Sequence, residues 1–116
     1  MLTHMTQLID LFARHCSDQS TLDELRKMVG DQRSWHKAHD LFDRIRDKTL
    51  QAERRKDERA DCQYLFEESC AKALYNLSDT DAPFDEDSPY WIVPNALSLA
   101  RRLGVHESEV TKIVAG

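Results

Sequence analysis

From Asp31 to Ala82 the chain contains neither glycine nor proline. Those two residues punctuate most turns and strand ends, so a stretch this long without them dictates helix. Gly30 is the only glycine before Gly104, and the three prolines, Pro83, Pro89 and Pro94, all fall in one short segment. The expected fold is therefore all-α: an irregular bundle of five to six helices, with a Pro/aromatic loop before the C-terminal pair. A chain of 116 residues, 41% of them hydrophobic, suits a single domain over 1–116 with one core.

Apolar spacing places the elements. Leu2, Met5, Leu8, Ile9, Phe12 and Cys16 form one stripe and predict a first helix from Leu2 to about Cys16. A second begins near Thr21, where Thr21 and Glu24 offer a capping box; Leu22, Leu25, Met28 and Val29 give its buried face, and Gly30 ends it. Trp35, Ala38, Leu41, Phe42 and Ile45 mark a third, over Ser34 to about Arg54. A fourth, Asp57 to Leu77, carries Cys62, Leu65, Phe66, Cys70, Ala73, Leu74 and Leu77 at steps of three and four. One continuous helix from Trp35 to Leu77 would be about 65 Å long, too long for a compact domain of this size, so a break is expected between Lys48 and Asp61. Helices over Asn95–Leu103 and His106–Val114 complete the chain.

Several function classes lose their footing here. No apolar run approaches the roughly 18 residues of a membrane span, so no membrane association is expected. The start MLTHMTQLID lacks the basic and apolar regions of a signal peptide, and Cys16, Cys62 and Cys70 have no metal spacing and cannot all pair; a reducing cytoplasm is the expected setting. Nucleophile-elbow, phosphate-loop, zinc-helix and dinucleotide glycine patterns are missing, so neither an enzyme nor a cofactor is expected. In the fourth helix Cys62 and Cys70 share the apolar stripe and read as structural thiols.

His36, His39, Asp40 and Asp43 fall on one helix face, a spacing able to hold a metal. Trp35, Ala38, Phe42 and Ile45 lie nearly opposite, so a core-facing apolar side turns the His/Asp quartet to water, and no metal site is expected. ERRKDER over 53–59 interleaves acids with bases and reads as a solvated helical corner.

The formal charge is -5, from 21 acids and 16 bases. Asp79, Asp81, Asp85, Glu86 and Asp87, with no base among them, account for the whole excess. The helical body is charge-balanced and carries one acidic loop. A calcium loop would need a central glycine and alternating oxygen ligands, which Pro83 interrupts. Asp85, Glu86, Asp87, Tyr90 and Trp91 are therefore the candidate contacts for a protein partner, in a small non-enzymatic adaptor or inhibitor acting through loop 79–93. A charged loop pinned to its own core by Phe84 and Trp91 is the plainer account of the same residues.

The segment ALSLARRLGVHESEVTKIV, Ala96 to Val114, carries a second pattern. Leu103, Gly104 and Val105 make a helix stop, and Ala100 with Val110 and Ile113 would let two helices approach closely. Two ordinary amphipathic helices closing a bundle share these features. In its positions Leu99, Ala100, Leu103, Gly104, Val105, Val110 and Ile113 the segment resembles the helix-turn-helix of Cro-like phage repressors. That resemblance covers 96–114 only. It implies a DNA-binding regulator, often a homodimer, with His106, Glu107, Ser108, Thr111 and Lys112 facing the major groove and Arg101 and Arg102 near the backbone.

Overall fold

The computed structural model describes residues 2–78 and 91–116. Six α-helices follow in order, with no strand among the described residues: α1 Leu2–Ala13, α2 Ser20–Val29, α3 Ala38–Arg54, α4 Glu58–Leu77, α5 Ile92–Leu103 and α6 Glu107–Ala115, with a 3-10 segment Gln32–Lys37 leading into α3. No described helix is long and apolar enough to cross a membrane.

Helix α1 stops at Ala13, short of the expected Cys16. The Gln19 amide supplies the stop, donating to the carbonyls of Ala13 at 2.8 Å and Cys16 at 2.6 Å. Helix α2 then begins at Ser20, so Thr21 lies inside the first turn and is buried. The expected capping box does not form: Glu24 instead takes both guanidinium arms of Arg44 on α3, at 3.0 and 2.7 Å. Asp18 does the local work at the entry, accepting from the Ser20 N–H and hydroxyl. Gly30 does close α2, at φ -80, a conformation open to any residue. The Trp35 indole donates to the Met28 carbonyl at 2.8 Å and seals that end.

The break between α3 and α4 falls at Arg55–Asp57, inside the expected window. Lys56 is left-handed, φ 57, and the N–H groups of Lys56 and Asp57 return to the carbonyls of Glu53 and Ala52. This is the closure that glycine usually makes, built here on lysine. Asp57 then caps α4 by accepting from the Ala60 N–H at 3.1 Å.

Helix α4 is the axis of the bundle. It packs against α2, α3, α5 and the 3-10 segment, so it is covered on several sides rather than along one stripe. Phe66, Cys70, Ala73 and Leu74 are buried as expected, with the Phe66 ring edge-on to Phe12 at 4.9 Å. Leu77 departs from its expected place, at 49% exposed. Gln63, Glu67, Glu68 and Ser69 are buried with the apolar residues. The core draws on every helix, and the Cα radius of gyration is 13.2 Å.

Helix α5 starts at Ile92, three residues before the expected Asn95, and takes Pro94 into its first turn. N–H groups there have no intrahelical partner, so proline costs the helix nothing at that position. The Asn95 amide donates to the Leu65 carbonyl and to the Ser69 hydroxyl, fixing α5 against α4.

Candidate functional site

Two places gather polar chemistry: the α5–α6 hairpin and a buried seam along α4. In the hairpin, Gly104 is left-handed at φ 74, and Val105 N–H returns to the Ala100 carbonyl at 2.9 Å. Leu99, Ala100, Val105 and Val110 are buried, and Ile113 is half-buried. His106 caps α6: the Ser108 N–H donates to its Nδ1 at 3.1 Å, which makes that nitrogen an acceptor. His106, Thr111 and Lys112 are exposed, and Glu107 and Ser108 half-buried.

Arg101 and Arg102 are exposed but occupied. Arg101 pairs with Glu107 across the turn, a contact that holds the Glu107 carboxyl below its usual range. Arg102 Nη1 lies 2.6 Å from Glu58 Oε2 at the start of α4. On the other flank of α6, Glu109, Lys112 and Ile113 face Gln7, Asp10 and Leu11 of α1, and Arg14 just after it, across an open groove of about 400 Å³.

The partner-loop residues Asp85, Glu86, Asp87 and Tyr90 lie outside the described residues. Trp91, the last of that set, sits at the N-cap of α5 and is 56% exposed.

His39, Asp40 and Asp43 place one donor atom each within 4.8 Å of one another, and all three are exposed. His39 Nδ1 is 3.4 Å from Asp43 Oδ2, and its ring stands edge-on to Tyr75. The face is solvated, as its position opposite Ala38 and Ile45 implies.

The seam along α4 was not among the expected sites. The Asp18 carboxylate accepts from the Tyr64 hydroxyl at 2.6 Å and from Lys48 at 2.9 Å, joining the α1–α2 link to α3 and α4. Partial burial pushes the Asp18 carboxyl up, but the hydrogen bonds from Tyr64, Lys48 and Ser20 outweigh it and hold the group well below the usual carboxylate range. The Gln63 amide donates to the Asp18 carbonyl at 2.8 Å and to Glu67 at 2.7 Å. Burial pushes Glu67 up to about 7 against the hydrogen bonds it accepts. Glu68 takes a bond from the Thr49 hydroxyl and lies 3.4 Å from Arg46. One signal was available: Gln63 stands a heptad before Cys70, and Glu67 a heptad before Leu74, so these polar residues share the angular position of core residues.

No family model, curated protein or solved structure matches this chain.

Proposed function

We propose that the α5–α6 hairpin is a helix-turn-helix that binds duplex DNA, with α6 as the reading helix. The observation carrying this reading is the division of the hairpin: Ala100, Val105 and Val110 are buried, while His106, Thr111 and Lys112 are exposed on the same turn and helix. Thr111 and Lys112 offer base-edge or phosphate contacts, and Ser108 can donate to either. Glu107 can accept from a cytosine amine, at the cost of releasing Arg101. Arg101 and Arg102 reach phosphates by exchanging their carboxylate partners for the backbone. A helix of nine residues reads one half-site, so a homodimer is the expected binding species, its half-sites about 34 Å apart or a multiple of that.

Retention on heparin and anisotropy of a labelled random duplex test the reading. Binding should weaken steeply with salt. Thr111→Ala should relax sequence preference, and Lys112→Ala should weaken all duplexes and flatten the salt slope by about one. Absence of salt-sensitive binding sinks the proposal.

A protein-interaction module is the second reading, favoured by the exposure of Leu77 (49%) and Trp91 (56%) at the two ends of the acidic loop. Reversing the charge of Asp85, Glu86 and Asp87 together should abolish capture of a basic partner. Unchanged pull-downs from the native lysate would remove this reading.

A further inference from the structure

The α1–α2 link and the α3–α4 corner enclose a recess of about 150 Å³. Its inner wall is buried and polar, with Gln63 4% exposed, Tyr64 7% and Cys16 8%. Its mouth carries two exposed arginines, Arg55 from the C-cap of α3 and Arg59 from the first turn of α4. Among the described residues neither guanidinium is in an ion pair, in contrast to Arg26, Arg44, Arg46, Arg101 and Arg102. Arg59 spends one N–H on the Arg102 carbonyl at 3.4 Å and keeps the others.

Two carboxylates share the recess, and each already accepts at least one hydrogen bond. Asp18 accepts from Tyr64, Lys48 and Ser20, and Asp57 accepts from the Ala60 N–H. Lys48 stands behind Asp18 and offsets its charge. The donors left uncommitted in the recess are the two guanidinium forks, at the start of a 20-residue helix that also carries Asp57 at its N-cap, Glu58 and Asp61.

We propose that this recess binds a phosphate group carried by a small molecule. Guanidinium forks match phosphate oxygens two at a time, and two of them from successive elements can hold a tetrahedral anion from two sides. The size agrees: the recess lies below the roughly 300 Å³ at which drug-sized ligands begin to fit, so it takes the phosphate head and not a whole nucleotide. Leu103 at the end of α5 also lines the recess, and Arg59 holds the Arg102 carbonyl, so an occupant rests against the start of the α5–α6 turn.

Titrating the intact protein with inorganic phosphate, at constant ionic strength balanced with chloride, tests this without reference to DNA. Calorimetry should show saturable binding, and the melting temperature should rise with phosphate concentration. Arg55→Gln and Arg59→Gln should each weaken binding about tenfold or more, the loss of a charged hydrogen-bonding pair. Arg54→Gln, outside the recess, should leave it unchanged, and all three variants should melt alike without phosphate because the side chains are exposed. Acetate at equal ionic strength should compete weakly. A response that never saturates, or one retained in both recess variants, overturns the proposal. If inorganic phosphate fails to saturate while duplex affinity falls in both variants, the arginines serve a nucleic-acid backbone and the small-ligand proposal is lost. Because Thr111 and Lys112 lie outside the recess, failure of one reading leaves the other standing.

Discussion

Gln63 Nε2 donates to Glu67 Oε2 at 2.7 Å from one turn back along α4, while Oε1 of the same carboxyl is buried without a hydrogen-bond partner. A carboxylate this deep in a core is costly to ionise, because desolvation disfavours the charge by more than the hydrogen bonds it accepts return. Burial accordingly pushes Glu67 up to about 7 from its ordinary 4.5. The acid is carried uncharged when the surroundings permit.

Stability should therefore fall between about pH 4.5 and 7. In that window the folded chain keeps the Glu67 proton and the unfolded chain releases it, so rising pH favours unfolding. The displacement corresponds to about 3 kcal/mol, fully lost above the folded value. Glu67→Gln keeps an acceptor for Gln63 and removes the titration. Urea unfolding from pH 4.5 to 8 should show the variant nearly equal to the parent at the acid end and more stable at pH 8. Asp61, also raised by burial, acts in the same sense, so the difference between the two proteins is the quantity to read. Parallel profiles would show that Glu67 does not titrate in this range.

Asp18 should act in the opposite sense and in a different window. Its carboxyl is held below the unfolded value of 3.8, so it stabilises above that pH and loses the contribution as pH falls through the folded value. Asp18→Asn should cost about 1–2 kcal/mol at neutral pH, the lower part of the range for charged hydrogen bonds because the site keeps water on one side. The cost should shrink below about pH 4, where the unfolded parent takes up a proton that the folded Asp18 still refuses. A double-mutant cycle with Tyr64→Phe should show coupling, since the hydroxyl is 2.6 Å from the carboxylate.

Helix positions were legible wherever one apolar stripe met one polar face. Helices α1 and α3 are of that kind, and so is the α5–α6 hairpin, where Gly104, Val105 and Val110 stand as their spacing implies. The α3–α4 break was legible as a necessity of length, but not as a place, because its left-handed residue is Lys56 and carries no sequence signal. The apolar stripe of helix α4 says nothing of its polar side: a helix surrounded by neighbours buries residues all round, and Glu67 and Glu68 look like surface acids until α2 and α3 cover them. Arg55 and Arg59 belonged to what read as a solvated charged corner. Their meeting at one recess depends on the link between α1 and α2, which no local pattern encodes.

The two internal glycines should respond to alanine with opposite signs. At Gly30, φ is -80 and an added Cβ would meet only the Lys27 carbonyl at 3.7 Å, so Gly30→Ala should stabilise by about 0.4–1 kcal/mol through the unfolded chain. At Gly104 nothing lies within 4 Å of an added Cβ, yet φ is 74. Gly104→Ala should therefore destabilise by about 1 kcal/mol from backbone strain alone, and Gly104→Asn by less. Thermal melts of the three variants check the signs. A neutral Gly104→Ala would mean the α5–α6 turn relaxes out of the left-handed region.

Thiol reactivity should rank with depth rather than with sequence neighbourhood. Burial pushes the Cys16 thiol up to about 12, and Cys70, inside the core, is raised further. Cys62 is half-buried; burial raises it too, against the opposing pull of Arg102. Because the thiolate is the reactive form, an aromatic disulfide reagent at pH 8 should label Cys62 first, and slowly. Cys16 and Cys70 should react only as the protein opens, with a rate that follows unfolding when urea is added. Cys62→Ser should then remove the native-state phase and leave the slow phase intact. Rapid labelling that survives Cys62→Ser would place a second thiol at the surface and contradict the packing of α1 against α4, where the Phe12 and Phe66 rings meet.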